Sequence, residues 1–490
     1  MSAPGFRVLA GMVVVAMLAP LIVFVLSTGA GAAELAPALS GKRLGLHVSA
    51  GELATWRRRA RRGPYKSSGD VSTNSPGDWA RIVSEKNEFM GNPSAVRWAG
   101  PAGFRGIDSS GCVERGSAGG DAPFLKRADL VNGAAFYALV KRNATVARKV
   151  ARQLGAQVNH RDTKFGVRSR YCLNAGMVGD QVPGFMMGDW IAKWLYAYDY
   201  TRAYERENGV TLLGAKKKAE IREWFTDVAV WFAHRNHAKV KKNFRGRVLG
   251  NFAASDYSTT RSAARLAIAP LWDGGPVPRR SAFHFNNRNA RVMRAVGLVG
   301  VLARNRRLID MAKQFYKEVL VFTVFPQGAM SDFHRGPKEP SDSGKGWKYS
   351  MVVVSGWIMV ADALSRRGDD QLYDFATTRG AHGTQGRHWT GGRKTLEKLL
   401  VDMGRYVSGD FRRRAGGDLI GPNADGIRRV HDVALAPANR YYRNSFLRDV
   451  YRRRVGPGYP ARPNGGKFVP WRGDTGSVPG VLFMFGGTEG

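Results

Sequence analysis

Apolar side chains recur along this sequence with the spacing of one helix face, and this period limits the fold more than any other feature. Positions i, i+3, i+4 and i+7 are apolar in four separate segments, a pattern typical of amphipathic helices. The segments are 190–198, 221–232, 292–302 and 308–319. Residues 351–364 are apolar nearly all round, which predicts a fully buried helix. The long segment 129–154 is predicted to be helical as well.

No comparable series of alternating strands precedes residue 400, so the pattern predicts an all-α body of paired helices over residues 40–404. Residues 63–123 are rich in Gly, Ser and Pro and are expected to form long loops. From about residue 405 turn residues dominate, which predicts an irregular extension, 405–490, packed on the helical body. The stretch "GVLFMFGG" in this extension is a candidate for short strands.

Charge limits the partners of the chain. Lys and Arg total 76 against 39 Asp and Glu, a net charge of +37. An excess of this size predicts a polyanionic partner, which is nucleic acid, an acidic membrane surface or an acidic polysaccharide. The hydrophobic content of 43% and the aromatic content of 11% exclude a disordered chain.

The first residues favour one of these partners. Residues 8–26 are apolar throughout and are followed by small residues, with a cleavage site expected after Ala32 or Ala33. This pattern predicts a signal peptide over residues 1–33, or an uncleaved membrane anchor as the alternative. Either reading predicts a periplasmic or secreted protein, for which an acidic polysaccharide is a better partner than nucleic acid. In such a compartment Cys112 and Cys172 form either a disulfide or two buried thiols.

Most motifs of familiar chemistry are absent from the sequence. It contains no H-E-x-x-H, C-x-x-C or G-x-S-x-G motif, and "SGKG" at 343–346 lacks the first Gly and the Ser or Thr of a P-loop. His234 and His237 have no nearby carboxylate ligand in the sequence and are more typical of a surface pair than of a metal site. The sequence therefore predicts neither a metal nor a cofactor.

Two polar constellations interrupt the apolar helices. The first, "FHFNNRNARVM", precedes an amphipathic helix, and helix capping needs only one of its asparagines. The second, "AMSDFHRGPKEPSDSGKGWKYSMV" over residues 329–352, places ionisable groups against apolar helix ends. The candidate residues are His284, Asn286, Asn287 and Arg288 in the first constellation and His334, Arg335, Trp347, Lys348 and Tyr349 in the second.

With these two motifs, the chain resembles the alginate-lyase-like polysaccharide lyases. "NNR" at 286–288 is similar to the Asn-Asn-His of the bacterial alginate lyases, and "FPQGAMSDFHRG" followed by "WKYS" is similar to their segment with an Arg and then a Tyr. The resemblance implies an incomplete (α/α) toroid with a groove for the glycan. It also implies that Asn287 binds the substrate carboxylate, that Arg335 takes the role of the family's Arg and that Tyr349 is the catalytic Tyr.

Two departures from the family pattern concern the catalytic base. Arg288 replaces the His of the Asn-Asn-His motif, and the thirteen residues 336–348 separate Arg335 from Tyr349, more than in the family. The resemblance is therefore distant, and the substrate need not be alginate.

The implied reaction is β-elimination at a uronic acid. The enzyme must neutralise the carboxylate so that a base can remove the C5 proton, and Asn287 and Arg288 are suitable donors. Tyr349, His334 and His284 remain three candidates for the base, with Arg335 as the cation that lowers the pKa of Tyr349. The remaining candidates for substrate binding are Asn286, Trp347 and Lys348.

Two other functions remain open for an exported helical toroid. A glycoside hydrolase needs two positioned carboxylic acids, for which Asp332, Glu339, Asp342 and Asp362 are available without forming a clear pair. A glycan-binding protein of a polysaccharide secretion system would bind acidic glycans without cleaving them. No recognisable nucleic-acid module is present, and the sequence does not indicate an oligomeric state.

Overall fold

The computed structural model describes residues 42–61, 78–97, 123–159, 185–243, 285, 287–326, 328, 330, 345–378, 392–408 and 435–455. The helices are α1 (Ala50–Arg59), α2 (Asp78–Gly91), α3 (Pro123–Lys141), α4 (Ala144–Asn159), α5 (Phe185–Asn208), α6 (Ala215–Asn243), α7 (Asn287–Ala303), α8 (Arg306–Thr323), α9 (Lys345–Ser365), α10 (Gln371–Asp374), α11 (Leu396–Ser408), α12 (Leu435–Tyr442) and α13 (Ser445–Val455), with a 3₁₀ turn at Pro93–Val96. Two short strands, β1 (Ala376–Thr377) and β2 (Lys394–Thr395), pair antiparallel. None of the helices in this part of the chain combines the length and the apolarity needed to cross a bilayer.

The helical period of the sequence is confirmed in α5 to α9. The indole rings of Trp190, Trp194 and Trp357 are fully buried, and α9 is buried on all sides from Ser350 to Leu364. Helix α1 begins with a capping box, in which the Ser49 side chain accepts from the Glu52 backbone N–H and the Glu52 carboxylate accepts from the Ser49 N–H.

The segment 129–154 is helical as predicted, and it is divided into α3 and α4 because Arg142 takes a left-handed conformation with φ 53° and ends α3. The expectation of loops throughout residues 63–123 is wrong. Residues 63–123 contain α2, whose buried face is formed by Trp79, Ile82 and Phe89. Their helical spacing was masked by the Gly, Ser and Pro residues around them. Helices α12 and α13 lie in the region predicted to be irregular.

Helices α3, α5, α7 and α9 form an inner layer and run in the same direction. Asp129 of α3 contacts Lys193 of α5, and Phe136 farther along α3 contacts Tyr200 farther along α5, so the two helices are parallel. The same holds for α7 and α9. A Cβ on Gly356 of α9 would lie 3.2 Å from the Ala290 carbonyl oxygen, and one on Gly297 would lie 2.9 Å from Val360, farther along α9.

Helix α5 is also parallel to α7 and α9. Gly188, near its start, packs on the backbone of Arg291 near the start of α7. Farther along, Tyr196 lies 3.2 Å from His47, which also contacts Asp362 farther along α9. The four inner helices therefore present their N-terminal ends at one face and their C-terminal ends at the other.

The helices between them run back in the opposite direction and form an outer layer. In α8, Tyr316 contacts Ala290 near the start of α7, whereas Ile309 contacts Gly300 near its end. Helices α2 and α6 are antiparallel to α3 and α5 through the pairs Trp79–Tyr137 and Glu85–Gly133, and Tyr198–Phe225 and Glu205–Lys218. Alternating inner and outer helices make an all-α, incomplete (α/α) toroid, and the predicted fold class is confirmed.

Three of the helix pairs are joined by the same two residues, Arg followed by Asn. Arg142, Arg304 and Arg443 have positive φ angles of 53°, 59° and 53°, which end α3, α7 and α12. The Asn that follows accepts a hydrogen bond from the backbone N–H three residues later and starts the next helix, as Asn305 does from Leu308 at 3.3 Å. The same bonds join Asn143 to Val146 and Asn444 to Leu447. No fixed period relates these turns, so they were not visible as a sequence repeat.

Candidate active site

The first constellation lies at the N-terminal end of α7, on the face where the inner helices begin. The ring of Phe285 is buried and packs on Phe315 with 5.9 Å between centroids. Asn287 is 6% exposed, and no described residue hydrogen-bonds its side-chain amide. The Asn287 amide, at the start of α7, is therefore a candidate donor to a ligand. Arg288 is half-buried, and Asn289 is fully buried.

The helix register brings the second constellation to the same level. Ala290 and Arg294 of α7 pack on Gly356 of α9. Tyr349 precedes Gly356 by seven residues, about 10 Å of helix rise, so its backbone lies near the level where α7 begins. The two helices are parallel neighbours, and Asn287 and Tyr349 are therefore at the same end of adjacent inner helices.

Several predicted residues lie outside what the structure describes. His284, Asn286, His334 and Arg335 are not among the described residues. Trp347, Lys348 and Tyr349 belong to the first turns of α9, but their side chains are not described. Cys112 and Cys172, residues 1–33 and "GVLFMFGG" are also outside, so the predictions made for them stay predictions.

Residues 324–330, which precede the second constellation, are fixed by contacts with the helical body. Val324 and Met330 form a β-bridge, and Gly328 between them, with φ 101°, packs on the backbone of Lys398. Beside it, the buried Lys394 ammonium donates to the carbonyl of Val321 at 2.7 Å. Burial lowers the pKa of Lys394 to about 7. These contacts fix residue 330, next to the predicted Asp332 and His334.

A layer of buried charges crosses the inner helices beneath this end. Asp189 of α5 contacts two arginines of α7, Arg291 at 3.1 Å and Arg294 at 2.5 Å. In the neighbouring pair the Lys193 ammonium lies 2.9 Å from the carboxylate of Asp129 of α3. Asp129, Asp189 and Arg291 each lie within the first two turns of their helices. The layer therefore fixes the spacing of α3, α5 and α7 where the candidate site begins.

Arg291 and Arg294 share one face of α7 with Asn287, at spacings of four and seven residues. Arg294 and Asp189 are fully buried, and removing either partner would leave an uncompensated charge. Burial raises the pKa of Asp129, and the Lys193 ammonium offsets part of that rise. The two guanidinium groups beneath Asn287 share the one carboxylate of Asp189, and the remaining positive charge, together with the positive ends of the inner helix dipoles, favours an anionic ligand at this face.

The crossing of α7 and α9 depends on a buried tyrosine. The Tyr316 hydroxyl of α8 donates to the Ala290 carbonyl at 3.1 Å, and a Cβ on Gly356 would lie 2.7 Å from that hydroxyl. Burial raises the pKa of Tyr316, so the hydroxyl remains a donor. A glycine at 356 is required for the close contact that sets the register of α9.

A second buried network lies toward the opposite end. His47 Nδ1 donates to Asp362 at 2.6 Å, and Arg366 donates to Asp362 at 2.7 Å and to both oxygens of Glu52 at 2.7 and 2.8 Å. Arg440 of α12 completes the network 2.6 Å from Glu52. Asp362 is thus engaged inside the protein, and it is not available as a substrate-facing acid of the hydrolase alternative.

Sequence reasoning overlooked the charged layer, although one signal was present. Arg291 and Arg294 stand in a helix that is otherwise apolar, and a charge in such a position needs a partner. Their partner Asp189 lies 105 residues from Arg294 in the chain, so no local pattern identifies it. His47 was overlooked for the same reason, because its partner Asp362 lies 315 residues away in the chain.

No family model and no curated protein matches the chain. The crystal structure of an alginate lyase from Bacteroides ovatus is similar to it, with a TM-score of 0.47 and 11% sequence identity. The match covers 84% of this chain and 94% of the alginate lyase chain. At this identity the function has to be argued from the residues of the chain itself.

Proposed function

We propose that the protein is an exported polysaccharide lyase that cleaves an acidic polyuronate, such as alginate or glucuronan, by β-elimination. The observation that supports it best is the Asn287 amide, which is 6% exposed, lacks a protein partner among the described residues and lies beside the first turns of α9. An amide placed in this way suits the neutralisation of a uronate carboxylate. The export signal is the one predicted over residues 1–33.

In the proposed mechanism, Asn287 and Arg288 bind the carboxylate at C5. Spreading the developing charge onto a neutralised carboxylate makes the C5 proton removable, and each donor of this kind contributes about 3–4 kcal/mol in comparable oxyanion sites. The guanidinium groups of Arg291 and Arg294 lie beneath Asn287 and favour the same anion by their field. No metal is needed for this neutralisation.

Tyr349 then completes the reaction as acid, as base or as both. Its phenol has an ordinary pKa of about 10, so it needs a nearby cation such as Arg335 to act as a base near neutral pH. His334 and His284 remain the other candidates for the base. Protonation of the O4 leaving group gives an unsaturated uronate at the new non-reducing end.

The proposal is tested with the purified protein and four substrates, poly-mannuronate, poly-guluronate, poly-glucuronate and hyaluronan. A lyase produces an ultraviolet-absorbing unsaturated uronate on one of them, and Tyr349→Phe abolishes the signal. Tyr137→Phe is a matched control, because this half-buried ring stacks on Trp79 with 5.7 Å between centroids and its hydroxyl has no described hydrogen bond. The control should retain full activity.

Other results would decide for the alternatives. New reducing ends without ultraviolet absorbance would identify a glycoside hydrolase. Binding of the polymers without any bond cleavage would identify a glycan-binding protein. Full activity of Tyr349→Phe would remove Tyr349 from the mechanism and leave the lyase assignment to the two histidines.

A further inference from the structure

Four exposed arginines gather at the face where the inner helices end. Arg206 lies in the last turn of α5, Arg304 in the turn after α7, Arg367 just after α9, and Arg43 in the segment that precedes α1. We refer to these four residues as the arginine face. It lies at the opposite end of the inner helices from Asn287, and α7 alone has 17 residues, about 25 Å of rise.

Backbone contacts hold three members of the arginine face together. Arg43 donates to the carbonyl of Arg366 at 3.0 Å, and Arg206 donates to the carbonyl of Leu44. Residues 43 and 44 thereby join the end of α5 to the end of α9. Arg304 follows α7, which packs between these two helices.

None of the four arginines pairs with a carboxylate in the described part of the chain. Their neighbours at the same end are paired: Arg57 and Arg142 share Glu207 at 2.7 and 3.2 Å, and Arg366 binds Glu52 and Asp362. Partial burial, and then the charges of Arg43, Arg304 and Arg206, lower the pKa of Arg367, whereas the buried carboxylate of Asp199 opposes them. Asp199 is a single anion against four cations, and it accepts a hydrogen bond from the backbone N–H of Leu46. The arginine face therefore carries mutually repelling cations that an anion would stabilise.

The helix dipole explains only part of this arrangement. The C-terminal carbonyls of α5, α7 and α9 can each favour one cation by about 0.3–1 kcal/mol. Arg43 belongs to no helix, yet it is fixed beside the other three. Arg43 thus adds a fourth positive charge beside Arg206, Arg304 and Arg367, which repel it. This arrangement indicates a ligand-binding surface rather than a set of independent helix ends.

We propose that the arginine face binds a second segment of the acidic polysaccharide, remote from the groove where cleavage takes place. This proposal rests on the proposed function. The planar guanidinium group matches a carboxylate with two parallel hydrogen bonds, and a polyuronate offers one carboxylate on every sugar. A membrane is less suited, because the exposed large hydrophobic side chains among the described residues are only Val210 and Val230.

The test compares a double variant, Arg304→Gln with Arg367→Gln, with a matched control, Arg148→Gln with Arg152→Gln. The control removes the same charge from two exposed positions of α4. Each pair is placed in Tyr349→Phe protein so that the polymer stays intact. The dissociation constant for a fluorescently labelled polyuronate is then measured by anisotropy at low salt. We expect it to rise roughly tenfold in the double variant and less than about twofold in the control.

A second measurement separates the arginine face from the groove. In protein with an intact Tyr349, cleavage of a tetrasaccharide, which is too short to reach both ends, should be the same in the double variant and in the control. Arg43→Gln with Arg304→Gln should repeat the loss of polymer affinity, and thermal melting monitored by circular dichroism confirms that each variant is folded.

Equal polymer affinity in the double variant and the control would overturn the proposal. A loss of tetrasaccharide cleavage in the double variant as large as its loss of polymer affinity would overturn it as well. Loss of binding to phosphatidylglycerol vesicles with unchanged polymer affinity would reassign the arginine face to a membrane and likewise overturn it. If the protein cleaves no polyuronate at all, the proposed function fails, and the anisotropy measurement still decides whether the arginine face binds the polymer.

Discussion

Asp362 lies inside the protein, between the imidazole of His47 and the guanidinium group of Arg366. Burial alone would raise its pKa, but the charge of Arg366 and the hydrogen bond from His47 outweigh that effect and hold the pKa well below the ordinary range. An aspartate with a lowered pKa stabilises the fold above its unfolded pKa of about 4. That stabilisation is lost as the pH falls below about 4 toward the folded pKa.

Asp362→Asn should therefore lower the free energy of unfolding at pH 7 by about 3 kcal/mol, because Arg366 loses one of its two anionic partners inside the protein. Urea denaturation measures the change. Asp310→Asn is the control, since its ion pair with Arg306 is on the surface and worth less than about 1 kcal/mol. Between about pH 4 and 2 the wild type should lose more stability than Asp362→Asn, and equal losses would contradict a lowered pKa of Asp362.

Asn287 is the described residue on which the proposed chemistry depends most. Asn287→Ala should lower kcat/KM on the preferred polyuronate by about 10²–10³, the effect of removing one oxyanion donor. Asn87→Ala, at an exposed position of α2, should leave kcat/KM unchanged. A loss of less than threefold in Asn287→Ala, measured from the ultraviolet signal, would exclude this amide from carboxylate binding.

At the scale of single residues the sequence indicated Asn287 but not its surroundings. Asn287 was recognisable because it stands at the start of an amphipathic pattern with more polar groups than capping requires. Asp189 and His47 were not, since an ion pair between distant residues leaves no periodic signal. The roles of Arg335 and His334 stay predictions.

At the scale of helices and turns, the paired Arg and Asn residues repeat at three of the connections. A left-handed backbone at a residue other than glycine is unfavourable by roughly 1 kcal/mol. Arg304 has φ 59°, and among the described residues its side chain has no hydrogen-bond or ion-pair partner that would offset this strain. Retaining Arg at such a position is consistent with its place in the arginine face.

Arg304→Gly should raise the free energy of unfolding by about 0.5–1 kcal/mol, because glycine adopts the left-handed conformation without strain. The same change at Arg148, exposed in the middle of α4, should lower it by about 1 kcal/mol. Thermal or urea denaturation of both variants measures whether the free energy of unfolding rises or falls in each. A loss of stability in Arg304→Gly would show that the Arg side chain contributes to the turn.

Gly188 sets the contact between α5 and α7. A Cβ at this position would lie 2.9 Å from the Arg291 carbonyl oxygen, which belongs to the helix backbone and cannot rotate away. Gly188→Ala should lower stability by about 1–3 kcal/mol. Gly155→Ala in α4 is the control, because its nearest contact is a flexible lysine at 3.4 Å, and it should be neutral or stabilising. Equal effects of the two changes would mean that the helices separate without strain.

The helices themselves were largely predictable, and their boundaries were not. Long apolar periods identified α5 to α9, since burial against neighbours on one side imposes that spacing. The break at Arg142 was missed, because Arg is a good helix former and nothing local marks a left-handed residue. Helix α2 was missed because a region rich in turn residues concealed its short apolar face.

For the molecule as a whole, the net charge of +37 is the largest electrostatic feature. A cationic enzyme attracts a polyanionic substrate over distances that salt shortens. For a long polyuronate, kcat/KM should fall roughly tenfold between about 50 mM and 500 mM NaCl, with kcat nearly constant. Sucrose at equal osmolality is the control. Independence from salt would contradict a role for the charge in substrate capture.

The network of His47 and Glu52 also connects residues that are far apart in the sequence. Asp362 and Arg366 lie 315 and 314 residues after their partners. At a synthesis rate of about 5–20 residues per second, this separation corresponds to roughly 15–60 s on the ribosome. During that interval Glu52 has neither Arg366 nor Arg440, so its carboxylate gains these two partners only late in synthesis. A nascent chain stalled before Arg366 would therefore carry Glu52 without either of its arginine partners, although Arg57 could already pair with Glu207.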